Sequence, residues 1–336
     1  MDRAQVARSL RELLSAARYR APAASGRPVP PAGHYAGLIR IGRELLAITT
    51  DTVGTKGLLA QELGRWEEVG EDVVAINVND LAAVGARPAA FVDTISMDRP
   101  TPALLAAIGR GLRRGLLAAQ CSLLGGETAV VPELVHGVDL GGTALGFFPG
   151  GRRPITGERI RPGDALIGVP SSGLHANGLT LARRIVASAG VPLGRIRAGS
   201  RRRLGLELLT PTRTYVRAVE SLVDLPGITG LAHISGGGVS NLVRLQREVE
   251  FRLNDWPKVP SLFGFLSQHG NVAPREMYRT FNMGVGFVIA CRPGTRGPLL
   301  RRLGKAGFAD AVPIGSVDRG RGVSLPRLGL TYERYG

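Results

Sequence analysis

Apolar positions along this chain recur in two periods. Runs of four to seven apolar residues stop at small, polar or glycine-rich segments, and between them lie stretches with the helical spacing of three and four. Leu45-Leu46-Ala47-Ile48 reads as a strand that ends in Thr49-Thr50-Asp51-Thr52-Val53-Gly54-Thr55-Lys56. A short helix follows over 58–64, closed by glycine, and a second over 71–84 with Val73, Val74, Ile76, Leu81 and Val84 apolar. Strands are expected over 89–95, 121–124, 138–148, 165–169, 287–290 and 311–314, and helices over 101–119, 179–187 and 239–245. Thr210-Pro211 carries a helix-start signal, and Gly141-Gly142 inside a strand suggests a bulge. Val6, Leu10, Leu13 and Leu14 share one face of a helix over 1–20, and 21–33, rich in Pro and Gly, reads as a flexible connector.

Alternation of short strands and helices over 336 residues predicts an α/β protein with more than one core. The Gly, Pro and Arg rich segment 149–162 marks the boundary between two domains. No apolar run approaches the length of a membrane span, and 1–20 has no uninterrupted apolar stretch of the signal-peptide kind. Two cysteines, Cys121 and Cys291, are too few for a disulfide framework, so a cytoplasmic location is expected.

The formal charge of +16 raises the question of nucleic acid. The arginines are spread along the whole chain and aromatic residues make up only 5%, so stacking platforms are scarce. Attraction for phosphorylated metabolites fits the charge equally well, and nucleic acid is not the expected partner. Lysine is nearly abandoned: only Lys56, Lys258 and Lys305 stand among 43 basic residues, which singles out Lys56 in the first polar segment.

Candidate chemistry clusters where apolar runs stop. Asp51 can hold a hard cation, Gly54 and Thr55 let backbone N–H groups approach a phosphate, and Lys56 can reach one as a point charge. The spacing is not that of a Walker loop. Asn77 and Asp80 lie three apart on one helix face, and Asn79 adds an amide beside Asp80. Gly125-Gly126-Glu127 ends another apolar run with a carboxylate. Asp51, Asp80 and Glu127 are thus three acids from separate segments, suited to an oxygen-ligand magnesium-phosphate site. Ser171, Ser172, His175 and Asn177 occupy a strand-to-helix loop of anion-binding type, and His233 with Gly236, Gly237 and Gly238 forms a second such turn. Gly33 to Ile39 is either a turn into a strand or a loop that closes over nucleotide.

Taken in order, Asp51 to Lys56, Val78 to Leu81, Gly125 to Thr128, Pro170 to Gly178, Leu209 to Arg213, His233 to Gly238 and Glu276 to Gly286 resemble the aminoimidazole ribonucleotide synthetase family, the phosphoribosylformylglycinamidine cyclo-ligases, in an archaeal-like version. The likeness covers about residues 33–320. It implies a two-domain α/β fold: 1–32 an N-terminal helix and linker, 33–152 an ATP-binding and dimerising domain, and 153–336 a substrate-binding domain. It further implies a homodimer whose N-terminal sheets form a shared barrel-like core. The implied reaction is ATP-dependent ring closure of formylglycinamidine ribonucleotide to 5-aminoimidazole ribonucleotide in purine biosynthesis, giving ADP and phosphate. Asp51, Asp80 and Glu127 would hold Mg²⁺. Lys56 would contact the transferring phosphate, and Asn77, Asn79, Gly125 and Gly126 would help arrange nucleotide. Ser171, Ser172, His175, Asn177, His233 and Gly236 to Gly238 would face the substrate, and Lys56, Asp80 and His175 would be the catalytic groups. One departure is Thr52, where the family has a second glycine.

Three relatives of that family are set apart from this chain by their residues. Selenophosphate synthetase needs a cysteine or selenocysteine before Asp51, and the hydrogenase-maturation dehydratase a cysteine at the end, where Tyr332 to Gly336 stand here. Thiamine-phosphate kinase lacks the His-Ile-Ser-Gly-Gly-Gly and Arg-Thr-Phe-Asn segments.

Overall fold

The structure is a computed structural model that describes residues 26–29 and 34–335. The helix expected over 1–20 lies outside those residues, as does most of the connector. The first half of the chain supplies β1 (Arg27–Val29), β2 (Gly37–Ile41), β3 (Glu44–Thr52), α1 (Lys56–Leu63), α2 (Glu67–Ala82), β4 (Arg87–Met97), α3 (Pro102–Ala119), β5 (Ser122–Val130) and β6 (Val138–Phe147). These strands form one sheet in the order β1-β2-β3-β6-β4-β5. Only β4 and β5 run parallel, because α3 carries the chain back between them. Thr101 starts α3 by accepting the Leu104 N–H on its hydroxyl, with Pro102 behind it.

The two faces of this sheet differ. Leu45, Ala47, Phe91, Ile95, Met97 and Ala144 are buried on one face, where α2 packs across β3, β4 and β6. Period two puts Ile48, Thr50, Thr52, Val92 and Thr94 on the other face. There Ile48 is 47% and Val92 39% exposed. The expected bulge at Gly141-Gly142 is absent: β6 pairs with β3 and β4 without a register shift there. Those glycines instead make room. A Cβ on Gly142 would lie 2.1 Å from the tip of the Phe91 ring. Gly142→Ala is therefore expected to cost about 2 kcal/mol, read as a lower denaturant midpoint at constant slope.

The second half supplies β7 (Ala165–Pro170), α4 (Leu179–Ser188), α5 (Leu204–Leu208), α6 (Val216–Glu220), β8 (Ile228–His233), β9 (Val249–Arg252), α7 (Ser261–Gly270), α8 (Pro274–Thr280), β10 (Val285–Cys291), α9 (Arg296–Lys305), β11 (Val312–Arg319), β12 (Gly322–Leu325) and β13 (Leu330–Tyr332). The sheet order is β13-β12-β9-β11-β7-β10-β8. β8 and β10 are buried along their whole length, which is why they read as continuous apolar runs. Two expectations fail here. Thr210-Pro211 starts no helix, since 210–215 is irregular and helix resumes at Val216. Residues 238–244 form 3-10 turns rather than an α-helix.

Candidate functional site

The polar groups gather where the C-terminal ends of β3 and β8 meet α2. Asp51 is the penultimate residue of β3, and Asp80 lies in the last turn of α2. His233 is the last residue of β8. Its Nδ1 lies 2.8 Å from Asp80 Oδ1. A carboxylate only accepts, so Nδ1 donates the proton of this bond, which leaves Nε2 for other contacts. That Nε2 is buried and has no partner, the arrangement of a group waiting for a ligand donor. Solvent reaches Asp51, yet the surrounding protein strips enough water to push its carboxyl above the usual range. The Thr52 N–H, which donates to Asp51 Oδ1 (2.7 Å), works against this, and the Asp80 charge adds to it.

Lys56 is not where the sequence placed it. Its ammonium is fully buried, 2.6 Å from Asp72 Oδ2, and donates to the Thr210 carbonyl (2.8 Å). Asp72 Oδ1 in turn accepts the Thr212 N–H (2.8 Å) and the Thr212 hydroxyl. Lys56 and Asp72 come from the first half of the chain and Thr210 and Thr212 from the second, so this buried pair links the two. Asn79 makes a parallel link: its amide donates to the Arg213 carbonyl (2.9 Å) and its oxygen accepts the Tyr215 N–H (2.7 Å). Asn79 thus holds the 209–215 segment. Asn77 donates to the Val73 carbonyl (2.8 Å) within its own helix, while its oxygen is buried without a partner.

Glu127 does not join Asp51 and Asp80. The apolar run from Cys121 does not stop at Gly125-Gly126; the strand continues to Val130, with Glu127 inside it. In register, Asp51, Gly142, Asp93 and Gly126 form one row, and Thr52, Gly141, Thr94 and Glu127 the next. Glu127 therefore lies three strands from β3, roughly 14 Å at about 4.8 Å per strand, on the opposite face from Asp51. Gly125 and Gly126 sit beside it on the same edge strand; Gly126 shares the Asp51 face but lies three strands away, against Asp93. Among the described residues no group of three or more His, Cys, Asp or Glu side chains is placed to hold a metal. Two nearby acids, Asp51 and Asp80, remain. They fit an Mg²⁺ of the kind that takes one or two carboxylates and completes its shell with phosphate and water. The Gly54 and Thr55 backbone stands at the mouth of this region, with Gly54 at φ +53 and the Thr55 hydroxyl 2.9 Å from that of Thr180.

The 170–178 loop folds back on itself. His175 is buried in a left-handed conformation (φ +63), and its Nε2 accepts the Ser172 N–H (3.3 Å). Burial, helped by the His233, Lys56 and Arg213 charges, holds it well below the usual histidine range. It is a neutral ring, its centroid 6.5 Å from that of His233 and 6.2 Å from that of Tyr215. The expected catalytic role for His175 does not suit a ring so enclosed. The Ser171 hydroxyl donates to Asn282 Oδ1 (3.0 Å) and that of Ser172 to the Pro211 carbonyl (2.5 Å). Asn177 lies against Gly236, where a Cβ would come within 3.1 Å of its oxygen. Gly238 serves packing: a Cβ there would fall 2.0 Å from the Tyr278 carbonyl. Asn241 donates to the carbonyls of Ser235, Gly236 and Gly238 and so fixes the glycine turn. Tyr35, read as part of a turn or a mobile loop, is buried under the Arg244 guanidinium, 4.1 Å from its ring centroid, ahead of β2. Asp72, Thr212, Tyr215, Asn241 and Asn282 were missed. The signal for Asp72 was present: a carboxylate seven residues before Asn79 on the same helix face, in an apolar stretch.

The sequence matches two family descriptions in succession: "AIR synthase related protein, N-terminal domain" over 33–148 and the corresponding C-terminal domain over 161–326. It is 41% identical to the phosphoribosylformylglycinamidine cyclo-ligase of Thermococcus gammatolerans, covering 98% of this chain and 97% of that protein. Its identity to the Pyrococcus furiosus enzyme of the same name is 40%, over 99% and 97%. The chain belongs to the phosphoribosylformylglycinamidine cyclo-ligase family. The fold is shared more widely. Thiamine monophosphate kinase from Aquifex aeolicus superposes with a TM-score of 0.64 over 99% of both chains at 16% identity, a likeness of fold alone. In this member of the cyclo-ligase family the site is built beside a link between the two halves of the chain through Lys56 and Asp72, with Asp51, Asp80 and His233 gathered next to it.

Proposed function

We infer that this chain carries out the reaction of its family: formylglycinamidine ribonucleotide and ATP give 5-aminoimidazole ribonucleotide, ADP and phosphate. The formyl oxygen takes the γ-phosphoryl group of ATP, which turns a poor leaving group into phosphate. An internal nitrogen then attacks the same carbon; the new C–N bond closes the ring as the C–O bond breaks, and the nitrogen loses a proton. Catalysis of such a transfer is mainly positioning and charge neutralisation. The observation that carries the assignment of roles is the partnerless Nε2 of His233, oriented through Nδ1 by Asp80. That nitrogen is suited to accept the proton that the closing ring gives up.

Asp51 and the second oxygen of Asp80 would hold Mg²⁺ at the ATP phosphates, where the ion neutralises charge. Binding there would lower the raised pKa of Asp51. Ser171, Ser172, Asn177 and Gly236 border the cleft that receives substrate. The two separate sheets support a division at 149–162, in which 33–152 would hold ATP and 153–336 the substrate. Glu127 sits on the open face of the first sheet with Ile48 and Val92, so it would enter a nucleotide site only from a second copy. A homodimer sheet-to-sheet would cover that apolar face and bring Glu127 across. Both cysteines are free and buried, which suits the reducing cytoplasm, and no described helix is long and apolar enough to cross a membrane.

The test is direct. Purified protein with Mg²⁺ is expected to release ADP only when both ATP and formylglycinamidine ribonucleotide are present. Equal ATP hydrolysis without the ribonucleotide would contradict the assignment.

A further inference from the structure

Behind the glycine turn lies a cavity of about 420 Å³ that none of the roles above uses. It is lined by Ser240, by Arg275 and Arg279 of α8, and by 331–334 of β13 and the tail beyond it. Volumes of roughly 300–1,000 Å³ are those of small-molecule sites. The cavity's lining carries three arginines and one carboxylate, Glu333. Arginine is common in this chain, so arginines on a surface mean little; here they converge on a concavity.

The geometry suits one class of anion. The Arg275 guanidinium carbon lies 5.4 Å from the Tyr332 ring centroid. An aromatic face this near attracts the cation, and a guanidinium fork suits a bidentate acceptor such as phosphate. The Tyr332 hydroxyl donates to the Arg275 carbonyl (2.8 Å), which ties the last strand to α8. The cavity also borders the substrate loops from the rear. The Ser240 hydroxyl donates to the Gly237 carbonyl (2.7 Å), and the Tyr335 hydroxyl, just past Arg334, donates to that of Gly236 (3.0 Å).

We propose that this cavity binds a phosphomonoester, gripped by Arg275 and Arg334, and that its occupancy orders the C-terminal tail against the glycine turn. The phosphate could belong to the ribonucleotide substrate or to a separate phosphorylated metabolite. The site itself does not depend on the ring-closure reading, because the probe is inorganic phosphate and the readout is binding.

The experiment is calorimetric titration of the full chain with inorganic phosphate, and with ribose 5-phosphate, at low ionic strength. Arg275→Ala/Arg334→Ala is expected to weaken phosphate binding at least tenfold with an unchanged melting temperature. A control pair on another surface, Arg301→Ala/Arg319→Ala, is expected to bind as the parent does. Equal affinities in the two double variants would overturn the proposal, since they would report only the overall positive charge. Repeating the titration with saturating formylglycinamidine ribonucleotide separates the sources. Loss of phosphate binding assigns the cavity to the substrate's own phosphate, and retention assigns it to a second metabolite.

Discussion

Asp80→Asn is expected to lower kcat at least a hundredfold while leaving the melting temperature within a few degrees. The amide keeps the volume and can still accept from His233 Nδ1, so the packing around α2 has no reason to change. The negative charge is what disappears. Asp80 faces His233 at 2.8 Å with one oxygen, and its charge is felt at Asp51 nearby. Without it a protonated His233 loses its counter-charge and a bound cation loses one of its two nearby carboxylates. A hundredfold loss is about 2.7 kcal/mol of barrier, within what a buried charge interaction supplies. Steady-state ADP release with both substrates, beside thermal melting by circular dichroism, checks it. Turnover within threefold of the parent would remove Asp80 from the mechanism.

The second large effect falls on stability. Lys56 and Asp72 are both fully buried. Removing either partner strands the other charge away from water, so Lys56→Met and Asp72→Leu are each expected to cost about 3–5 kcal/mol. Asp72→Leu also takes the acceptor from the Thr212 N–H and hydroxyl. The double variant replaces the pair with apolar groups of similar size, and it should recover much of that loss, because the price of desolvating two ions vanishes along with their attraction. Urea unfolding of the two single variants and the double one forms a cycle. Losses that simply add would mean the two side chains are not coupled, against the contact seen here.

What the sequence revealed, and what it hid, follows from where each residue's partners lie. Asp80 stood out as a candidate because a carboxylate interrupts an otherwise apolar helix, and Asp51 and His233 because each sits at the end of an apolar run. The Ser-Ser-Gly-Leu-His and His-Ile-Ser-Gly-Gly-Gly segments were legible for the same reason. Glu127 was misplaced because two glycines looked like a strand end; the edge of a sheet tolerates them, and the strand ran on to Val130. Lys56 was read as free because its partner, Asp72, is 16 residues away on a helix, and burial of a lysine leaves no local signature. Thr210-Pro211 carried a genuine cap pattern, overridden when the segment was pulled straight to bond Lys56, Asp72 and Asn79. The strands over 249–252 and 322–332 and the helices over 261–270 and 296–305 were not anticipated, since short or mixed runs there lack a clear period. The family resemblance rested on segments rather than on elements, and so it survived these misreadings.

The Lys56 and Asp72 link has one more consequence. An enzyme of two halves can open like a book to let its product go, but here the spine holds a charge pair that water never touches. Prising the halves apart would expose an ammonium and a carboxylate in the act of separating them, a step far slower than the swing of a loop. Entry and exit are therefore expected through the turns around the cleft rather than by a parting of the two halves.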